Sequence, residues 1–277
     1  MLKKNVLDDL YARYNRREFV HPDPLEFLYH YEDIRDREIV GLVASALAYG
    51  RVQQILKSVS FVLQRMQPSP SLFLSHASRE ALLLDFAGFK HRFTTREDIV
   101  SMLLGIKGII ERYGSLQACF VAGINDCDST ILPAISAFAK ELNTEQNGSP
   151  NSLLPSPTKG SACKRLNLFL RWMVRKDEVD PGGWDTVKAS KLIVPLDTHM
   201  HRICLSLKIT GRKQADIRTA TEITAAFRTI SPDDPVRYDF ALTRLGIRNE
   251  GDMDDFLKQC GMLEEPSHLS DAFNLIV

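Results

Sequence analysis

The chain has 277 residues, 44% of them hydrophobic, and its 35 Lys and Arg balance 35 Asp and Glu for a formal net charge of zero. That length suits one large domain or two small ones with ample material for a buried core, and no apolar run approaches a membrane span. Cys119, Cys127, Cys163, Cys204 and Cys260 are scattered without a CxxC pair, which argues against a disulfide framework, a cysteine-rich zinc site or an iron–sulfur cluster.

Basic residues near the start are interrupted by Asp8 and Asp9, so no secretory signal is expected and the cytoplasm is the expected address. Leu7, Leu10, Tyr11 and Tyr14 form one helical stripe. The run His21–Phe27 carries two prolines and reads as a loop entering a short turn. From Asp36 to Met66 the pattern is helical, with a joint at Ala48-Tyr49-Gly50-Arg51 and a firm end at Gln67-Pro68. Lys90-His91-Arg92-Phe93 is a basic loop ahead of a helix through Ile99, Leu103, Ile106 and Ile110. Thr94 and Glu97 stand at capping-box spacing at its start. Helices follow near Leu116–Val121 and Thr130–Leu142, and the Asn-, Ser- and Pro-rich stretch Asn143–Thr158 is the best boundary in the chain. Further helices are expected at Gly160–Arg175, Thr198–Leu207, Arg218–Thr229 and Pro235–Gly246. There is no convincing alternating strand pattern and no repeat, so the predicted fold is all-α.

The zero net charge hides segregated patches. Asn151 to Lys176 holds six Lys or Arg and no acid, and Thr198 to Ala215 holds Arg202, Lys208, Arg212 and Lys213, again without an acid. Acids collect elsewhere, at Glu250, Asp252, Asp254, Asp255, Glu264 and Glu265. Such patches suit a polyanion on one face, or several solvated helix faces.

Two residues in this region carry candidate chemistry. Lys164 lies about 200° around its helix from Leu166, off the apolar face of Leu166, Phe169, Leu170 and Met173. It sits in the first turn, where the positive end of the helix dipole works against an ammonium, a setting for a nucleophilic lysine. Asp197 precedes Thr198 and an apolar-periodic run, so it is a natural N-cap. Leu192 to Leu196 before it would hold its carboxylate half-buried, where it can also act as a base. Asp197-Thr198-His199-Met200-His201 also has the look of a metal motif. On a helix, however, His199 and His201 project about 200° apart and cannot chelate one ion together.

Gly160-Ser161-Ala162-Cys163-Lys164 followed by an apolar helix, then Pro195-Leu196-Asp197-Thr198-His199-Met200-His201-Arg202, resembles the core of the helix-hairpin-helix DNA glycosylase superfamily. In that family a hairpin ends in a lysine at the head of a helix, and a downstream aspartate caps the next one. The hairpin departs from the family's Leu-Pro-Gly-Val-Gly, because Leu154-Pro155 is separated from Gly160 and Ala162 replaces the second glycine. The long interval before Asp197, containing Asp180-Pro181-Gly182-Gly183-Trp184, is similar to the archaeal 8-oxoguanine glycosylase branch. The chain as a whole resembles most a bacterial family described only as a domain of unknown function.

The resemblance implies an all-α unit over residues 1–277, with one helical lobe at about 36–143 and a second at about 159–247. Residues 1–35 and 248–277 would pack on them, and a DNA-facing cleft would lie between the lobes. It implies a base-excision enzyme acting on duplex DNA with a damaged base such as 8-oxoguanine, without cofactor, metal, membrane or obligate protein partner. Lys164 takes the Schiff-base position and Asp197 that of the essential aspartate. Lys159, Gly160, Arg165, Arg171, His199, Arg202, Arg51 and Arg92 are the implied DNA contacts, and Tyr49 and Trp184 the candidates for a base pocket or wedge. The alternatives are a non-catalytic DNA-binding or lesion-sensing relative, and a metal-dependent hydrolase built on the Asp197–His201 segment.

Overall fold

Capping residues divide the chain into its elements: Asp33, Ser69, Ser78, Thr95, Ser115, Asp197 and Asp216 each accept a hydrogen bond from a first-turn amide. The computed structural model describes residues 3–144, 151–248 and 250–262, apart from the side chains of residues 159, 247, 248 and 250–252. In chain order the helices are α1 (Lys4–Tyr14), α2 (Ile34–Ala46), α3 (Val52–Arg65), α4 (Pro70–His76), α5 (Arg79–Asp85), α6 (Arg96–Tyr113) and α7 (Leu116–Ala122). They continue as α8 (Leu132–Leu142), α9 (Lys164–Val174), α10 (Thr198–Ser206), α11 (Ile217–Ile230), α12 (Asp239–Arg248) and α13 (Glu250–Gln259). Short 3₁₀ turns lie at Arg17–Phe19, Pro24–His30, Pro157–Lys159 and Ala189–Lys191. The described residues contain isolated bridges but no strand, so the fold is mostly helical. No described helix is long and apolar enough to cross a membrane.

α2 is the element on which the others assemble. It is buried from Glu38 to Ala46 and packs against α9, the Pro24–His30 turn, α4, α7 and α3. Its approach to α9 is close because residue 41 has no side chain: a Cβ there would meet Leu28, Phe169 and Met173 at 3.3 Å. Glu38 is buried beside this crossing and accepts hydrogen bonds from the Leu116 and Gln117 amides and from Trp184 Nε1. One carboxylate thus caps α7 and anchors the loop after α9.

That loop explains the Asp-Pro-Gly-Gly-Trp run. Gly182 N and Trp184 N donate to the carbonyls of Trp172 and Met173, closing the open C-terminal end of α9. Gly183 adopts φ +130° against Ile34, where a Cβ would come within 2.0 Å of Ile34 Cδ1. Trp184 is fully buried, its ring 5.1 Å from Phe169 and 5.6 Å from Phe120. It is a core residue, which corrects the expectation that it stacks on a base.

The basic run in α9 also resolves differently from its expected role. Arg171 and Arg175 are buried and ion-paired, Arg171 with Asp180 and Asp239, Arg175 with Asp177, Asp180 and Asp234. Burial works against both charges, but these carboxylates more than reverse it and hold both guanidinium groups above their ordinary value. Arg171 is therefore not a phosphate contact: at 4% side-chain exposure its charge is spent inside the protein.

Three further expectations change. The capping box is Thr95 with Asp98, one residue beyond the expected Thr94 and Glu97, because Thr94 is buried and bonded to the Tyr49 hydroxyl. α4, α5 and α13 stand where no helix was expected, the first two being single short segments capped by serines. The expected boundary Asn143–Thr158 is partly core, since Asn151, Leu153 and Leu154 are buried and Asn151 donates to the Asp98 carbonyl. Residues 145–150 of that stretch, and Glu264 and Glu265 of the acidic tail, lie outside the described residues.

The buried network yields a stability test. Arg171→Met strips Asp239 of its guanidinium partner and is expected to cost about 3–5 kcal/mol in urea unfolding, the range for breaking a buried pair. Loss of DNA affinity by Arg171→Met with no change in unfolding midpoint would contradict this assignment.

Candidate active site

The chain reverses just before α9. Gly160 takes φ +81° and Cys163 φ +48°, both left-handed, so that Lys164 becomes the first helical residue. The turn is pinned to the start of α11 by the Ser161–Asp216 bridge and by Ile217 N donating to Gly160 O at 3.2 Å. Cys163 Sγ faces the Pro155 carbonyl at 3.4 Å, and no side chain caps α9. Lys164 therefore projects from an uncapped helix start.

Asp197 reaches the same point from the other side. Leu192 to Leu196 are buried, and Val194 N donates to Thr224 Oγ1 at 3.0 Å, which anchors the segment to α11. Asp197 then caps α10: its Oδ1 accepts from Met200 N at 2.8 Å. Its other oxygen, Oδ2, lies 3.3 Å from Lys164 Nζ. The carboxylate does both jobs at once, one oxygen for the helix and one for the amine. With 32% and 20% side-chain exposure, the pair is neither sealed in the core nor free in solvent.

Lys164 and Asp197 line a cavity of about 400 Å³, within the usual range for small-molecule sites. Val52, Ile55, Leu168 and Phe240 supply apolar wall, and Asp239 adds a second carboxyl beside Asp197. At the rim, Asp23 pairs with Arg244 and so ties the Pro24–His30 turn to α12. Burial pushes the Asp239 carboxyl up to about 6; Arg171 opposes the shift, and the charge of Asp197 adds to it.

The other predicted contacts divide by exposure. Arg51, Arg92, His199, Arg202 and Gly160 are exposed. Arg165 is half-buried: it donates to the Ala46 carbonyl at 3.0 Å and to that of Ser152, and lies 5.1 Å from the Tyr49 ring centre. It ties α9 to α2, a packing role. The Lys159 side chain lies outside the described residues. Tyr49 is half-buried, with its hydroxyl donating to the His91 carbonyl at 2.9 Å. It supports the neighbouring loop and does not project as a wedge. His91 is buried, its ring nitrogens 2.9 Å from Ser58 Oγ and 3.0 Å from the Tyr49 carbonyl, so it is no phosphate contact. Of the two histidines after Asp197, His199 faces solvent while His201 turns inward to the Arg212 carbonyl at 2.8 Å. Among the described residues, no three or more His, Cys, Asp or Glu side chains are grouped to hold a metal ion.

Sequence reasoning missed Asp239, Asp23 and Arg244. The one local signal was an acid set between Tyr238 and Phe240 in an apolar run, a position where a carboxylate needs a buried partner.

A mostly helical protein with a lysine–aspartate pair at a cavity between two helix starts is the class these features define. The family model described as "Protein of unknown function (DUF2400)" matches residues 23–248, and the chain belongs to that family. No curated protein and no solved structure matches the chain.

Asp239 supplies a pH test. Its carboxyl is raised from an ordinary 3.8 to about 6, so folding favours the protonated form. That contribution is full below the ordinary value and is lost as pH rises through about 6. A ¹³C carboxyl titration is expected to show a group titrating near 6 that is absent from Asp239→Asn. The parent should also lose stability relative to that variant over the same interval. Parallel pH–stability curves for the two proteins would rule this out.

Proposed function

We propose that this protein is a DNA base-excision glycosylase with a lyase step, acting through Lys164 on a damaged base such as an oxidised purine. The observation that carries the proposal is the 3.3 Å approach of Lys164 Nζ to Asp197 Oδ2 at the cavity. The motif resemblance supplies the reaction class. A damaged nucleotide leaves the duplex at a cost of a few kcal/mol, lower where the lesion is mispaired, and enters the cavity.

The chemistry then follows from the two groups. Asp197 Oδ2 takes a proton from the Lys164 ammonium and frees the amine lone pair. The amine attacks C1′ of the sugar, the N-glycosidic bond breaks, and its electrons leave with the base, which is protonated as it departs. The proton accepted by Asp197 is the one that leaves with the base, so Asp197 is again a carboxylate and stabilises the positive character at C1′. The added nitrogen gives one proton to Asp197, its lone pair expels O4′, which takes that proton back, and the sugar opens to a protonated imine; loss of a C2′ proton to solvent then expels the 3′ phosphate by β-elimination. The apolar wall of Val52, Ile55 and Phe240 limits water, which favours amine attack over hydrolysis.

Two substitutions separate this chemistry from structure. Lys164→Gln should fold normally, because the side chain is partly exposed and Gln is a good helix former. It should abolish both strand cleavage and the borohydride-trapped adduct on lesion-bearing duplex. Asp197→Asn retains the oxygen that caps α10, so stability should stay within about 1 kcal/mol. Excision by Asp197→Asn should fall about 10²–10⁴-fold, the usual worth of a positioned general base. An adduct that survives Lys164→Gln would move the nucleophile elsewhere, and no adduct on any lesion duplex would favour a non-catalytic binder.

Charge supplies a separate test. Arg51, Arg92, Arg202, Lys208 and Lys213 are exposed. If about six phosphates are neutralised, duplex affinity should fall on the order of 10³-fold between 50 and 200 mM salt. A flat salt response would remove duplex DNA as the substrate.

A further inference from the structure

Two side chains in the cavity wall hold buried N–H donors that meet no acceptor among the described residues. The arginines of this part of the fold make the comparison. Arg171 gives every nitrogen to a carboxylate, Nε and Nη2 to Asp180 and Nη1 to Asp239. Arg175 does the same, with Nε on Asp234, Nη1 on Asp180 and Nη2 on Asp177. Arg244, at 7% side-chain exposure, is nearly as deep. Yet among the described residues its Nη2 alone has an acceptor, Asp23 Oδ2, and its Nε is buried without one.

The tryptophans divide in the same way. Trp184 gives its Nε1–H to Glu38, whereas the Nε1–H of the buried Trp172 has no acceptor among the described residues. Folding strips such donors of water, so leaving them unanswered is costly. Orphaned polar atoms also occur on Asn15, Asn143, Asn167, Asp234 and Arg237, none of which lines this cavity. Trp172 and Arg244 both line it, together with Lys164 and Asp197. The guanidinium is steadied there by Asp23 and by the Phe240 ring, whose centre lies 4.7 Å from Cζ. A rigid guanidinium fork and an indole N–H are both complementary to carbonyl oxygens.

We propose that Arg244 and Trp172 are specificity-determining residues that take the carbonyl oxygens of the extruded base, so that the cavity accepts a keto purine and turns away its amino counterpart. The inference rests on the glycosylase reading and names the substrate class of that same cavity. A 6-keto purine brings an acceptor to donors that lack one. A 6-amino purine brings N–H groups instead, and donors facing donors stay unpaired on both sides. That mismatch is how a buried polar site rejects the wrong ligand. Asp23 holds one corner of the guanidinium and leaves its other nitrogens to the base.

The test uses the full chain and duplexes carrying 8-oxoguanine or 8-oxoadenine opposite the same base, with single-turnover borohydride trapping through Lys164 as the readout. The parent should trap the keto lesion faster. Arg244→Lys keeps a cation for Asp23 but loses the fork, and should narrow the keto-to-amino ratio about 5- to 150-fold. Trp172→Phe keeps a ring but loses the N–H, and should narrow it about 2- to 10-fold. Because a ratio is read, any loss of folded protein cancels, as do pairing differences between the lesions when each variant is set against the parent. If both variants trap through Lys164 with the parent's ratio, these donors do not read the base and the glycosylase reading stands. If the parent is trapped on no lesion duplex, both fall together.

Discussion

Two buried arginines, one in the last turn of α9 and one capping its end, set the terms for the rest of the molecule. Arg171 and Arg175 leave water only because Asp177, Asp180, Asp234 and Asp239 come to them from three other segments. A buried guanidinium without a carboxylate is far too costly to tolerate, so the loop after α9 and the approach to α12 have little choice of position. Tyr11 reaches the same cluster by donating to Asp177 at 2.9 Å, which draws α1 in as well. The direction of α9 is fixed at its tail, and the orientation of Lys164 at its head follows.

The site inherits this arrangement. Asp239 belongs to the arginine network and to the cavity wall at the same time, so the electrostatics of the cavity are continuous with those of the core. Asp197 has a similar double role, with one oxygen committed to α10 and the other turned to Lys164. A carboxylate held by a helix cap cannot rotate away from its amine without exposing an amide, which keeps the pair in register.

Local pattern revealed the bodies of the helices because their apolar periodicity is strong: α1, the α2–α3 joint, α6 and α9 lie where that periodicity puts them. It also placed Lys164 and Asp197 at helix starts, and the three-dimensional structure brings those starts together. What was hidden was mostly long-range. The run from Asn151 to Lys176 reads as a basic surface because the acids that neutralise Arg171 and Arg175 follow it, two of them well downstream. Trp184 sits among glycines and an aspartate, the composition of an exposed turn, yet Glu38 on a distant helix draws it into the core. The serines that cap α4 and α5 were visible, but seven residues of helix carry too little periodicity to separate from a loop.

The span of the arginine network has a bearing on how the protein is made. Asp234 and Asp239 lie 59 and 68 residues downstream of their partners Arg175 and Arg171. A nascent chain that has just released α9 from the ribosome therefore carries two arginines whose full complement of counter-charges has yet to be synthesised. α9 can pack on α2 as soon as it emerges, but its charge network closes only when the residues leading into α12 arrive. Lys164 belongs to that same helix, so its surroundings are complete only when Asp239, which shares the cavity wall with it, has been added.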